Sequence, residues 1–155
     1  MNPKNDHAQV LLNPFLIYIA LAIGAVLLQR LLPLPFIAQP NASIIGIIIM
    51  VINIPIGLTA VKGMFASKTS PNPHRPTTAL VFSGPYRFSR NPMYIGLTLL
   101  YAGLASFFQL PWGLLSLPIV IWLITIWVIV PEEKYLEQKF DSEYLSYKSR
   151  VRRWI

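Results

Sequence analysis

Two short stretches carry residues with chemistry to offer. The first, GPYRFSRNPMYIG at 84–96, sets Arg87, Arg90, Asn91 and Pro92 between Tyr86 and Tyr94, directly before an apolar run. Asn is a good helix N-cap, its side-chain oxygen satisfying a free helical N–H, and Pro at the first helical position gives up no hydrogen bond; RNP therefore starts a helix. A helix N-terminus carries roughly half a positive charge, and Arg90 beside it makes a site for a carboxylate or phosphate. The second stretch, PEEKYLEQKFDSEYLSYKSRVRRWI at 131–155, brings Glu132 and Glu133 to the end of another apolar run. These acids are placed to pair with Arg87 or Arg90, or to bind the hydroxyls and ammonium of a ligand. Each stretch also has a plainer reading. The first is then a capped helix with interfacial Arg and Tyr anchors, and the second an acidic first turn that follows a helix ended by Pro131.

The elements that must position these residues belong in a membrane. Of the 155 residues 54% are hydrophobic and 12% charged, and the mean hydropathy is +0.53, against about 25% charged residues in soluble domains. Apolar runs predict spans at 14–36, 42–61, 91–108 and 112–131. The last two share a charge-free stretch from Asn91 to Pro131 that must fold back at QLPWG, 109–113, where Pro111 and Gly113 disfavour a continuous helix. The expected fold is all-α: a single polytopic membrane domain of about four transmembrane helices, with a linker at 62–90 and a tail at 132–155. In the tail Leu136, Phe140, Tyr144, Tyr147 and Val151 recur at helical spacing and predict an amphipathic helix over 132–151 lying on the membrane surface, with Phe140 and Tyr144 toward acyl chains. Within the second span, Asn53 and Pro55 suggest a helix-to-helix hydrogen bond at a kink, and Gly96 and Gly103 suggest close packing of the third span.

Twelve of the 13 Lys and Arg residues fall in the N-terminus, linker and tail, with Arg30 alone on the other side. The positive-inside rule then puts both termini and the linker in the cytoplasm, as in a bacterial inner membrane. The net charge of +7 is divided among loops flanking apolar runs, which fits anionic lipid as the neighbour and not nucleic acid. No cleavable leader is evident around 14–28. There is no cysteine, and His7 and His74 do not make a metal site, so no metal is expected. No G-x-G-x-x-G loop follows a strand, which excludes a soluble Rossmann-type methyltransferase.

The ordered set LVFSGPYRFSRNPMYIG, a charge-free hairpin, EE, F..EY..Y and VRRW resembles the isoprenylcysteine carboxyl methyltransferase and phospholipid methyltransferase family of integral membrane enzymes, over about residues 70–155. That resemblance implies a methyltransferase with an S-adenosylmethionine site at Leu80, Val81, Gly84, Tyr86, Arg90, Asn91, Pro92, Met93, Tyr94 and Glu132, with Glu133 alongside. The acceptor it implies is lipophilic or lipidated: an isoprenylcysteine carboxylate or a phospholipid. Two departures bear on this. Asn91 stands where many members have histidine, and IWVIVP before the acidic pair lacks the arginine that prenylcysteine-specific members tend to carry. The rival readings are a non-enzymatic membrane protein that binds anionic lipid or assembles with partners, and a sterol-reductase-like enzyme using NADPH.

Overall fold

The computed structural model describes residues 6–73 and 75–155; Lys4 and His74, used above for charge and metal arguments, lie outside them. Among the described residues all regular structure is helical. Helix α1 spans Pro14–Leu31, with Asn13 capping it through its side chain and Pro14 in the first turn. Helix α2 runs Asn41–Ala66, five residues past the expected end of the span. At about 1.5 Å per residue it is close to 40 Å long, more than the hydrocarbon of a bilayer. A 3-10 turn at Gly84–Arg87 leads into α3, Pro92–Phe107. The chain then reverses through Gln109, at φ 53, into α4, Pro111–Leu115, where the sequence suggested the break. Two of these helices, α1 and α2, are long and apolar enough to cross a membrane by length and composition.

Glycine makes the seam between α2 and α3. A Cβ on Gly46 would stand 2.6 Å from the Gly103 carbonyl oxygen and 2.7 Å from the Phe107 nitrogen, and one on Gly103 would stand 2.6 Å from Met50 Cγ. Small residues let helix backbones approach in lipid, where dispersion and not water exclusion drives association. Ser106 Oγ adds a hydrogen bond to the Ala42 carbonyl across the seam. Asn53 departs from expectation: its Oδ1 is buried without a donor, close beside Gly96. The other faces of α2, including Ile44, Ile48, Val51 and Ile52, are exposed.

After Ser116, helix α5 (Leu117–Ile124), a π-helical turn (Thr125–Ile129) and α6 (Val130–Arg150) form one run. Pro131 does not end the fourth span as expected. Having no N–H, it leaves the Trp127 carbonyl without its helical donor, and the Leu11 N–H fills that place at 3.1 Å. The tail also departs from a straight surface helix. Asp141, at φ 40 and ψ −118, breaks α6 into two arms, and Lys148 reaches back to Glu137 at 2.5 Å. The second arm thereby carries Tyr144 inward, where it is 2% exposed and not toward acyl chains; Phe140 stays partly exposed. The main core joins Ile17 and Tyr18 of α1, Tyr94 and Tyr101 of α3, and Val120, Ile124, Val128 and Ile129.

Candidate functional site

At one end of the bundle the N-terminal segment, the linker, the start of α3 and both arms of α6 enclose a cavity of about 110 Å³. The linker provides Ser70, Pro71, Asn72, Pro73, Thr77, Leu80 and Val81, and the 3-10 turn provides Tyr86. Arg90, Asn91, Pro92, Met93 and Tyr94 come from the start of α3, and Glu132, Glu133, Tyr135, Leu136, Tyr144 and Tyr147 from α6. Ala8 and Met64 complete the wall. Ten of the eleven residues singled out in the sequence thus face one cavity; Gly84 does not. Gly84 is exposed and opens the 3-10 turn at φ +61, a backbone conformation that favours glycine, so its part is to shape the loop.

The acidic pair divides into two unlike carboxylates. Glu133 is 5% exposed and lies between two guanidinium groups: Arg90 Nη2 donates to Oε1 at 2.8 Å, and Arg153 Nη2 donates to Oε2 at 2.8 Å. Burial lifts the Glu133 carboxyl, but the bonds from Arg153 and Arg90 outweigh it and hold the group below its ordinary range. Arg90 also donates through Nη1 to the carbonyls of Lys148 and Val151, at 3.0 and 2.9 Å. With Nε and Nη2 on Glu133, four of a guanidinium's five N–H groups are committed inside the protein. Arg90 is therefore a hub that binds the tail to α3, not the open anion fork the sequence suggested.

Asn91 shows the same change of role. Its side chain makes no cap bond to α3; Nδ2 donates to the Arg153 carbonyl at 3.0 Å. Ser89 Oγ donates to that same carbonyl, Arg90 N–H reaches the Arg152 carbonyl at 3.0 Å, and Trp154 Nε1 donates to Thr125 Oγ1. Residues 151–154 thus lie as a clasp across the start of α3.

Glu132 has no such company. Tyr94 donates its hydroxyl to Oε1 at 2.8 Å, and no salt bridge involves the group among the described residues. Burial pushes the Glu132 carboxyl up to about 7 despite that bond, and the charge of Glu133 adds to the rise. Burial also raises the Tyr86, Tyr144 and Tyr147 phenols, keeping them neutral at physiological pH. Tyr147 donates to the Tyr86 carbonyl at 2.7 Å and so ties the second arm of α6 to the 3-10 turn. The Tyr135 hydroxyl joins Asp6 at 2.9 Å and accepts from Thr77 N–H at 3.2 Å, fastening the N-terminal segment and linker to α6.

Sequence reasoning missed Ala8, Met64, Ser70, Pro71, Asn72, Pro73, Thr77, Tyr135 and Tyr147 as lining residues, and missed Arg153 as the partner of Glu133. The VRRW string was the only available signal for the last. A second cavity, about 410 Å³, lies between Ala22, Ala25 and Val26 of α1 and Leu104, Ala105 and Phe108 beyond them. It offers only apolar side chains apart from the Tyr101 hydroxyl, which pairs with Ser116.

Fold and cavity together define a class: all-helical proteins with helices apolar enough to cross a membrane and, at one end of the bundle, a cavity lined by charged and tyrosine side chains. The family model for phospholipid methyltransferases matches residues 41–143, well over half of the chain, and the chain belongs to that family. The match begins within α2, earlier than the motifs indicated, and stops before the VRRW clasp. The chain is 36% identical over 72 residues to the protein-S-isoprenylcysteine O-methyltransferase of Saccharomyces cerevisiae, covering 46% of this chain and 30% of that protein's length. It is 38% identical over 63 residues to an uncharacterized protein of Haemophilus influenzae, covering 41% of this chain and all of that protein. No solved structure matches.

Proposed function

We propose that this chain is an S-adenosylmethionine-dependent membrane methyltransferase acting on a lipophilic acceptor, an isoprenylcysteine carboxylate or a phospholipid, at the cytosolic face. The observation that carries this is the convergence of RNP and the acidic pair, up to 43 residues apart in sequence, on one cavity wall. Family membership supports methyl transfer over the lipid-binding and NADPH-reductase readings.

The donor set suits that cofactor. Glu132 keeps a free carboxylate oxygen for a cationic centre, the tyrosines offer electron-rich faces to a sulfonium, and Arg90 keeps one N–H for an anionic end. When bound, the cofactor supplies an electrophilic methyl group. The protein's part is then to position and to exclude water: Tyr94 orients Glu132, the Asp6–Tyr135–Thr77 contacts close one wall, and the clasp closes another. A carboxylate acceptor needs no base; an amine must lose its proton, and Glu132 is better suited to take it than Glu133, whose oxygens both face arginine.

Four spans with both termini cytoplasmic complete the reading. It is supported by the basic residues and by the meeting of N-terminal segment, linker and tail at one end, as the Lys139–Asp6 pair at 2.7 Å illustrates. Purified protein titrated with adenosylhomocysteine and, separately, NADPH tests the cofactor. Micromolar binding of the first and none of the second is expected; the reverse overturns the reading. Membranes incubated with methyl-labelled adenosylmethionine then identify the acceptor.

A further inference from the structure

Charge is unevenly used on the cavity wall. Its charged residues are Arg90, Glu132 and Glu133, and Glu133 is matched to Arg90 and Arg153. The Arg90 guanidinium is further turned onto the Lys148 and Val151 carbonyls, which leaves it a single uncommitted N–H. Glu132 is the one charged side chain of the wall with no ionic partner among the described residues, and its single bond, from Tyr94, leaves Oε2 uncommitted. Tyr94 bonds it, Tyr86 faces it, and Tyr135, Tyr144 and Tyr147 line other parts of the same cavity. Carboxylate and aromatic faces attract cations, and in a partly desolvated site that attraction is stronger than in water.

We propose that the cavity reads the charge of its ligand: Glu132 and the tyrosines hold a cationic centre, a sulfonium or a protonated amine, and release its neutral counterpart. This rests on the cofactor reading above and deepens it. In methyl transfer the acceptor's lone pair forms the new bond to the methyl carbon while the carbon–sulfur bonding pair stays on sulfur. The sulfonium thus becomes a neutral thioether, and the reaction itself removes the charge that the cavity grips. Product leaves because it has lost that interaction, and Glu132 sets the difference between cofactor and product.

The test measures affinities of the full-length protein in detergent for adenosylmethionine, its amine analogue sinefungin, and adenosylhomocysteine. The two cationic ligands are expected to bind about tenfold more tightly than the thioether, and Glu132→Gln to shrink that ratio to about twofold while adenosylhomocysteine affinity holds. Equal loss of all three ligands in Glu132→Gln overturns the proposal, because Glu132 then holds an ammonium or hydroxyl they share, and leaves the cofactor reading standing. Failure of wild-type protein to bind any of the three sinks the cofactor reading itself. If Glu132→Gln does not fold, the wild-type ratio of adenosylmethionine to adenosylhomocysteine affinity against pH decides. The groups facing Glu132 are Tyr94 of α3, Tyr86 of the 3-10 turn, and Glu133 with its arginines; Tyr86 stays neutral and Glu133 stays ionised through neutral pH. Protonation of Glu132 near pH 7 should therefore lower the ratio several-fold from about pH 8.5 to about 5.5. A flat ratio overturns the charge-reading role.

Discussion

The α2–α3 seam and the polar end are held by opposite means. At the seam the protein leaves side chains out: Gly46 and Gly103 bring backbone to backbone, and there is no room for a methyl group. At the polar end it adds side chains until nearly every donor is used, with Glu133 alone receiving five hydrogen bonds from Arg90 and Arg153. Lipid explains the contrast. Within the bilayer, apolar side chains gain little by facing each other instead of acyl chains, so close contact is what remains. At the water boundary each buried charge must find a partner or be expelled. The seam should accordingly fail by addition and the polar end by removal.

Glu133→Ala is expected to have the largest effect, a loss of about 3 to 5 kcal/mol of stability, because it leaves buried Arg90, 8% exposed at its side chain, without its counter-charge. Thermal unfolding in detergent measures it; a loss no larger than that of an exposed Lys134→Ala control would mean the triad is not the clasp's anchor. Gly46→Ala comes next, at about 1 to 3 kcal/mol, since its Cβ meets backbone atoms of Gly103 and Phe107 that cannot swing aside. Gly103→Ala should be milder, because its closest contact, Met50 Cγ, belongs to a flexible side chain. Equal losses at the two glycines would show the seam to be looser than the distances imply.

The smallest effect sharpens the contrast within the acidic pair. The folded pKa of Glu132 lies above its unfolded value near 4.5, so its contribution is fully present below about 4.5 and is lost as pH rises through about 7. Glu133 is held low, so its contribution is present above about 4.5 and lost on acidification. Glu132→Gln should therefore gain stability relative to wild type by about 1 to 2 kcal/mol between pH 5 and pH 8, read from unfolding midpoints across that window. A constant difference between the two proteins would mean that water in the cavity relieves the burial of Glu132.

Local chemistry made part of this molecule legible. The reversal at Gln109–Pro111 and the start of α3 at Pro92 depend on residues within a few positions of each other and appear where the pattern put them, whereas the helix ends do not: α1 stops at Leu31 and not at 36, and α2 runs on to Ala66. The cavity residues were legible because their spacing is that of a known family. One distant contact was legible from charge alone, the pairing of Arg90 with the acidic pair, which the structure makes at Glu133; the other contacts set by distant chain escaped. Arg90 still looked open to an anion because its other partners include carbonyls 58 and 61 residues away. Asn91 looked like a cap because nothing near it indicated that the Arg153 carbonyl would arrive. Tyr144 looked lipid-facing because helical periodicity assumes a straight axis, and the bend at Asp141 is held by the Glu137–Lys148 pair and by the clasp beyond it.

The π-helical turn at Thr125–Ile129 has a bearing on how this chain can vary over time. It holds one residue more than an α-helical turn needs, and both ends of the protein attach there, Leu11 through the Trp127 carbonyl and Trp154 through Thr125 Oγ1. Losing a single residue from the turn would give a more regular helix, yet it would rotate Glu132 and Glu133 by about 100° relative to α5. Identity matters here residue by residue, at the Thr125 hydroxyl and at buried Val128 and Ile129, whereas a change in length reaches the Leu11 and Trp154 attachments and the cavity at once.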